Sequence, residues 1–211
     1  MNQHWLEQAK RLQAIAATGL HFTESLFDRE RYEEVARISE SLLAQLADEP
    51  VQRIQGLVPA AAEGYATPKI DVRGAVFRNG EILLVQEAAD GLWTLPGGYA
   101  DLGLSAAENV VKEVREEACV EVRAQRLYAV RHKSKHGYDP DVRDFYKFFF
   151  LCSFVSEAAS AQMPEPGPET TAAGFFKLEA LPPLSKARTI ELDIEQAWRN
   201  HQAPETGVVF D

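Results

Sequence analysis

The sequence predicts an α+β fold in which a mixed β-sheet is sandwiched between helices and follows a small N-terminal helical unit. Three observations lead to this expectation. Apolar residues recur at helical spacing through the first 57 residues. An Asn79-Gly80 hairpin signal then joins two apolar runs. Beyond it, a central helix, two long β-branched or aromatic runs and a closing amphipathic segment complete the pattern.

Composition narrows the class of protein. Of the 211 residues, 45% are hydrophobic and 26% are charged, as in an ordinary soluble globular protein. The net charge of −10 argues against an extended nucleic-acid surface, although a metal ion would let an anionic substrate bind. Two cysteines do not form a disulfide framework, and no signal peptide or membrane-spanning run is present. We therefore expect a cytoplasmic protein that binds no membrane.

Residues 1–65 are predicted to form a helical extension. Apolar residues at spacings of one, three and four run from Trp5 to Ala16, and Gly19 offers a stop. A second helix is expected to open near Asp28, and Pro50 can start a short third one. Because short helices bury little surface alone, this unit is expected to pack on the rest of the chain or on a second subunit. A homodimer is the expected assembly.

Residues 66–211 are predicted to form the second domain, after an Ala/Gly/Pro linker over 58–68. The strand pattern begins at Lys69 and turns at Asn79-Gly80. The later strand and helix segments, in order, are "VEVRAQRLYAVRHK", "RDFYKFFFLCSFV", "AAGFFKL" and the amphipathic helix "ARTIELDIEQAWRN".

The central helix carries the residues of greatest chemical interest. Ser105 and Glu108 form a capping box, so a helix should begin there. Glu113, Glu116 and Glu117 then stand on one face, where three carboxylates repel one another unless cations neutralise them. Lys112 can pair with Glu108 and Glu116, four residues away on either side, which would make this a solvated surface helix. Alternatively, the preceding glycine-rich loop "LPGGYADLG" admits a ligand, and the oxygen ligands suit Mg²⁺ or Mn²⁺.

These residues resemble a known signature. The stretch from Gly98 to Val120 is similar to the Nudix hydrolase signature G-x5-E-x7-R-E-U-x-E-E-x-G-U, in which U is a bulky aliphatic residue. Leu104, Lys112 and Cys119 depart from it. The flanking "DVRGAVF" and "DGLWTLPGGYAD" also match, and the N-terminal helices resemble a Nudix subgroup that includes CDP-choline pyrophosphatases and proteins described as ADP-ribose pyrophosphatases. The resemblance implies a Nudix-type α/β/α sandwich over residues 69 to about 185.

The resemblance also implies roles for individual residues. Glu113, Glu116 and Glu117 would hold the metal ions and be catalytic, with the backbone of Gly97 and Gly98 beside them. Metal ions can neutralise a diphosphate and activate the attacking water. The family often takes a general base from a separate loop, which points to Glu169 as a base or an additional ligand. An exposed acid in a Pro/Gly turn is the alternative for Glu169.

The sequence gives weaker evidence for the residues that contact the substrate than for those that hold the metal. A loop rich in His and Lys can bind phosphate or a nucleobase, although loop histidines are often only solvated. The candidate substrate-binding residues are Arg73, His132, His136, Tyr146 and Lys147.

The implied activity is hydrolysis of a nucleoside diphosphate linked to another group, with CDP-choline and ADP-ribose as candidates. The rival hypothesis is a catalytically weakened Nudix module that binds a nucleotide for regulation, motivated by the three departures. Loss of a carboxylate at Leu104 would loosen the surroundings of the site, and Lys112 lacks the bidentate fork of arginine. Cys119 would be strained if its position requires left-handed backbone.

Overall fold

The computed structural model describes residues 3–58 and 65–211. The chain divides into two compact units. The first comprises Met1–Lys69 with Pro140–Asp144, and the second comprises Ile70–Asp139 with Phe145–Asp211. The five residues Pro140–Asp144, which lie within the predicted second domain, therefore belong to the first unit. The predicted domain limits, 1–65 and 66–211, stay a prediction.

Three helices build the first unit: α1 (Gln3–Phe22), α2 (Leu26–Ala47) and α3 (Val51–Leu57). Helix α1 continues past Gly19, the predicted stop. Helix α2 begins two residues before Asp28, because the Ser25 hydroxyl accepts the Asp28 N–H and caps the helix. Pro50 precedes α3 as expected. Residues 59–64, most of the predicted linker, lie outside the described residues.

The helices of this unit bury only part of their apolar stripes. The core contains Leu6 and Leu43, which are 2% and 0% exposed. By contrast, Trp5, Ile15 and Ile38 leave 60%, 56% and 52% of their surface exposed. Apolar side chains on α1 and α2 therefore remain available to a partner. None of the described helices has the length and apolar character needed to cross a membrane.

The second unit contains the sheet. Its strands and main helices are β1 (Lys69–Arg78), β2 (Glu81–Glu87), β3 (Trp93–Thr94), α4 (Ala106–Ala118), β4 (Val122–His132), β5 (Phe145–Phe154), α5 (Glu157–Ala161), β6 (Thr170–Lys177), α6 (Glu191–Gln202) and β7 (Val209–Phe210). The strand order is β3-β2-β1-β5-β4-β7, and β6 also pairs with β2. The sheet is mixed, since β4 pairs antiparallel with β5 and parallel with β7.

The Asn79-Gly80 turn sets the first hairpin. Both residues have positive φ, 53° and 82°, which favours these two residue types. Arg78 pairs with Glu81 across the turn. Alternate residues of β1 then face opposite sides of the sheet. Val72 and Val76 join the α4 side of the core, whereas Ala75 joins the α6 side.

Helices cover both faces of the sheet. On one face, Val110 and Val114 of α4 belong to the same buried cluster as Val72. On the other, Ile194 and Ala197 of α6 join a second buried cluster. The predicted sandwich is confirmed. Sequence periodicity missed β3, α5 and β7, because elements of two to five residues are too short to display a repeat.

Candidate active site

Helix α4 presents its three acids at different depths. The predicted capping box starts the helix: Ser105 Oγ accepts the Glu108 N–H at 3.2 Å, and the Ser105 N–H donates to Glu108 at 2.8 Å. Val110 and Val114, which share a helix face with Glu117, pack into the core. Glu117 is consequently only 6% exposed, whereas Glu116 points outward.

Glu117 is the most perturbed of these acids. Its Oε2 accepts the Gly97 N–H at 2.8 Å. Burial raises its pKa from 4.5 to about 7, and the negative charges of Glu87 and Glu113 add to the rise. The charge of nearby Arg73 and the hydrogen bond from the Gly97 N–H lower the pKa of Glu117, but by less than burial raises it. The site thus concentrates negative charge that its own cations do not fully offset.

Gly97 and Gly98 allow the loop to approach α4 and β1 closely. Gly97 has φ 148°, and a Cβ there would lie 2.0 Å from the Val72 carbonyl oxygen. A Cβ at Gly98 would lie 2.9 Å from Glu113 Oε2. The Gly98 carbonyl accepts the Val72 N–H at 2.8 Å. Both glycines therefore adjoin the acids as expected, and Gly97 acts on Glu117 through its N–H. Their participation in metal binding stays a prediction.

Glu87, at the end of β2, is a site acid that the sequence did not single out. It is 8% exposed, and Arg188 Nε lies 3.0 Å from its Oε1. Burial raises the pKa of Glu87, with Asp90 and Glu169 adding and Arg188 opposing. An acid at the end of an apolar strand was the available signal, since such a residue requires a partner when buried.

Glu169 reaches the same region on a separate turn. The Gly167 N–H donates to the Glu117 carbonyl at 3.2 Å, and Thr170 Oγ1 donates to the same oxygen at 2.8 Å. The Ala88 N–H donates to the Glu169 carbonyl at 3.2 Å. The turn is thus held against α4 and the end of β2. The charge of Glu169 contributes to the raised pKa of Glu113, although burial is the main cause. Its role as base or ligand stays a prediction.

Arg73 and Lys147 lie beneath the surface with Asp71. They are 3% and 1% exposed, respectively. Arg73 forms two 2.9 Å hydrogen bonds to Asp71, and Lys147 Nζ forms a third. Arg73 also donates to the Leu95 carbonyl at 3.1 Å, in the turn that leads to Gly97. The arrangement makes Arg73 an electrostatic neighbour of Glu117, while substrate contact by Arg73 and Lys147 stays a prediction.

His132, His136 and Tyr146 lie where β4 ends and β5 begins. His132 and Tyr146 are cross-strand partners with ring centroids 5.5 Å apart. His136 Nε2 lies 2.6 Å from Asp211 Oδ1. His132 Nδ1 lies 2.8 Å from Ser134 Oγ, so the two histidines contact their own loop and Asp211. Tyr146 is 42% exposed and accessible to a ligand, but its predicted contact remains untested.

The carboxylates of α4 are the type of ligand that a hard divalent cation prefers. Their present positions do not bring three of them around one point. Among the described residues, no group of three or more His, Cys, Asp or Glu side chains is arranged to hold a metal. Lys112 explains part of this, because its Nζ lies 2.8 Å from Glu116 Oε2. Even so, the oxygen donors of Glu113 and Glu117 suit Mg²⁺ or Mn²⁺, and a cation would offset the charge that opposes ionisation of Glu117.

The three departures from the signature have distinct structural settings. Leu104 is 41% exposed. Lys112 pairs with Glu116 as expected, but its other close partner is Asp101 at 3.2 Å, since Glu108 is engaged in the capping box. Cys119 ends α4 with φ 53° and ψ 32°, so this position does have left-handed backbone.

Comparison with known proteins identifies both parts of the chain. Residues 3–58 match the family model described as a UDP-X-like N-terminal oligomerisation domain, and residues 68–195 match the NUDIX domain. The "Putative ADP-ribose pyrophosphatase YjhB" of Bacillus subtilis (strain 168) is 42% identical over 207 residues, covering 98% of this chain and 97% of that protein.

Solved structures agree with these matches. An ADP-ribose pyrophosphatase from Streptococcus suis 89-1591 is 40% identical with a TM-score of 0.61, and the match covers 69% of this chain and 100% of that one. A UDP-X diphosphatase is 30% identical with a TM-score of 0.62, covering 100% of both chains. Sequence signature, fold and relatives together establish that this chain belongs to the Nudix hydrolase family and carries an N-terminal UDP-X-like oligomerisation domain.

Proposed function

We propose that this Nudix pyrophosphohydrolase is Mg²⁺- or Mn²⁺-dependent and cleaves the diphosphate of a nucleoside diphosphate linked to another group. ADP-ribose is the first candidate because two relatives carry that activity in their names. CDP-choline remains the second candidate. The UDP-X diphosphatase with full-length similarity makes UDP-linked compounds a necessary part of any test.

One observation carries the proposal: Glu117 is buried with the charges of Glu113 and Glu87 nearby, and its pKa is raised to about 7. Keeping such acids together is costly unless a cation is bound. In the proposed site, Glu113, Glu116 and Glu117 hold the cation. When bound, the cation neutralises the diphosphate and promotes ionisation of the attacking water.

The chain's own groups orient this chemistry. Gly97 fixes one oxygen of Glu117 through its N–H, which leaves the other oxygen for a ligand. Glu169 is the proposed acceptor of the water proton, because Arg188 already neutralises the alternative acid, Glu87. The water oxygen bonds to one phosphorus as the bridging P–O bond breaks. The products are two phosphate monoesters.

The rival function is nucleotide binding with weak catalysis or none. The specific observation in its favour is Lys112, which pairs with Glu116 and lies 3.7 Å from Glu113 Oε1. If Lys112 retained these acids in the presence of a cation, the site would bind nucleotide without assembling a catalytic centre.

A substrate panel distinguishes the two. The purified protein is incubated with ADP-ribose, CDP-choline and a UDP-sugar, with Mg²⁺, with Mn²⁺ or with chelator, and the phosphate monoesters are measured. Cation-dependent formation of two monoesters from at least one compound is expected. Turnover that persists in chelator would contradict metal dependence. Nucleotide binding without turnover in any condition would support the rival function.

The assembly and the remaining contacts belong to the same proposal. The N-terminal unit is proposed to form a homodimer, supported by its family description and its exposed apolar residues. Substrate contact is proposed for Arg73, His132, His136, Tyr146 and Lys147, with the exposed Tyr146 the most accessible. Cytoplasmic location stays a prediction.

A further inference from the structure

Lys112 lies among three acids at the outer edge of the site. Its Nζ is 2.8 Å from Glu116 Oε2, 3.2 Å from Asp101 Oδ2 and 3.7 Å from Glu113 Oε1. Two of these acids are proposed cation ligands, and Asp101 is not. A lysine in this position competes with a cation for Glu113 and Glu116 unless another anion retains it.

The backbone of Asp101 is held in place beside Lys112. Asn109, which is fully buried, accepts the Asp101 N–H at 2.8 Å. The Asn109 amide also donates to the carbonyls of Leu104 and Ser105, at 3.3 and 3.1 Å. These bonds fix the loop at both ends and direct it to the start of α4. The approach of Asp101 to Lys112 therefore depends on a buried anchor as well as on surface side chains.

Leu104 lacks the carboxylate that the signature has at this position. It is 41% exposed and can make no ion pair with Lys112. Asp101, three residues earlier on the same anchored loop, provides a carboxylate to Lys112 instead. The carboxylate that is absent at Leu104 is thus matched by the carboxylate of Asp101, which pairs with Lys112.

We infer that Asp101 is a positioning residue of the cation site, which retains Lys112 when Glu113 and Glu116 turn to the cation and so replaces the carboxylate missing at Leu104. The inference rests on the proposed metal-dependent function. Its physical basis is an exchange of partners: Glu116 must leave Lys112 to bind a cation, and the exchange costs less when Lys112 keeps an ion pair.

The test measures cation binding directly. Free Mn²⁺ is followed by electron paramagnetic resonance as the full-length protein is titrated, so no turnover is needed. Asp101→Asn should raise the Kd for Mn²⁺ about two- to five-fold, the range expected for an exposed ion pair. An unchanged Kd in Asp101→Asn would overturn the inference. Matching urea unfolding curves would verify that the variant remains folded.

A double-mutant cycle separates this effect from a simple loss of negative charge. In a Lys112→Gln background, Asp101→Asn should have little further effect, because no lysine remains to be retained. An equal loss in both backgrounds would mean that Asp101 acts only through its charge, and the inference would be wrong.

Restoration at the signature position is the second control. Leu104→Glu should return the Kd of Asp101→Asn toward that of the unaltered protein, because it supplies a carboxylate to Lys112 from the same loop. Failure to recover would refute the equivalence of the two positions. If the unaltered protein binds no Mn²⁺, the proposed function fails together with this inference. If the unaltered protein binds Mn²⁺ and Asp101→Asn binds it with the same Kd, the inference about Asp101 is refuted but the proposed function is not.

Discussion

At the scale of single residues, Glu117 has the environment most suited to a cation ligand. It is 6% exposed and accepts one backbone hydrogen bond, from Gly97. Glu116 is on the same helix face but is exposed and paired with Lys112. A shared helix face therefore does not make the acids equivalent, and their variants should differ.

Glu117→Gln is expected to lower kcat/KM by at least about 100-fold, because it removes the charge that the cation needs while preserving side-chain size. Monoester formation from the best substrate of the panel measures the loss, and Mn²⁺ titration measures the affinity. Glu121→Gln, at an exposed acid just beyond α4, is the matched control and should retain activity. Comparable activity of Glu117→Gln and the control would contradict the proposed ligand role.

The raised pKa of Glu117 also predicts a pH dependence of stability in the absence of metal. The folded protein binds the Glu117 proton more tightly than the unfolded chain does, with a pKa of about 7 against 4.5. The stabilisation is therefore complete below the unfolded pKa and is lost as pH rises through the folded one. As the pH rises from the unfolded to the folded pKa, the titration of Glu117 should lower the free energy of unfolding by about 2–3 kcal/mol.

Urea unfolding in chelator, at about pH 5 and about pH 7.5, measures this change. The decrease should be smaller in Glu117→Gln, which cannot titrate, while Glu87 and Glu113 contribute in both proteins. Saturating Mn²⁺ should reverse the loss at the higher pH, since it stabilises the ionised site. Identical pH dependence in the two proteins would show that Glu117 is not the group responsible.

At the scale of the element, α4 combines a favourable start with a strained end. Ser105 and Glu108 satisfy the first backbone N–H groups, and this capping box is readable from the sequence. Cys119 adopts left-handed backbone at the other end, where glycine would meet no Cβ clash. The helix is held despite this because Val110, Val114 and Ala118 are completely buried.

Cys119→Gly is expected to raise the free energy of unfolding by about 0.5–1 kcal/mol, because it relieves the left-handed strain and loses part of that gain to unfolded-chain entropy. Urea unfolding of the metal-free protein measures the change. Cys119→Ala is the control, since it removes the thiol but keeps the Cβ. Equal stabilities of the glycine and alanine variants would refute the backbone explanation.

At the scale of the whole molecule, the N-terminal unit distinguishes this chain from a NUDIX domain alone. Its helices leave Trp5, Ile15 and Ile38 exposed, although they have a small core of their own. A groove of about 430 Å³ on α2 is lined in part by Ile38 and Leu42. Such apolar exposure is typical of a surface that is covered by another subunit.

Ile38→Glu should shift the protein from dimer to monomer at micromolar concentration, because a charge at an apolar contact must be desolvated without a partner. Light scattering coupled to size-exclusion chromatography measures the mass. Ile38→Leu is the control and should remain dimeric. A dimer unaffected by Ile38→Glu would place the interface elsewhere, and a monomeric unaltered protein would refute the proposed assembly.

The sequence by itself determined features that depend on nearby residues. Asn79-Gly80 defined a hairpin, Ser105 and Glu108 defined a helix start, and the spacing of Glu113, Glu116 and Glu117 placed three acids on one face. These predictions succeed because turn geometry, capping and helical periodicity are fixed within a few residues of the chain. The family signature added the expected chemistry to them.

Only the tertiary structure decided which charges share one environment. It brought Glu87 to Arg188, buried Arg73 and Lys147 against Asp71, and gave Lys112 the partner Asp101 instead of Glu108. Burial and electrostatic interaction depend on distances between chain segments and on exclusion of water, neither of which follows from local pattern. For the same reason, three glutamates on one helix face acquired three different environments.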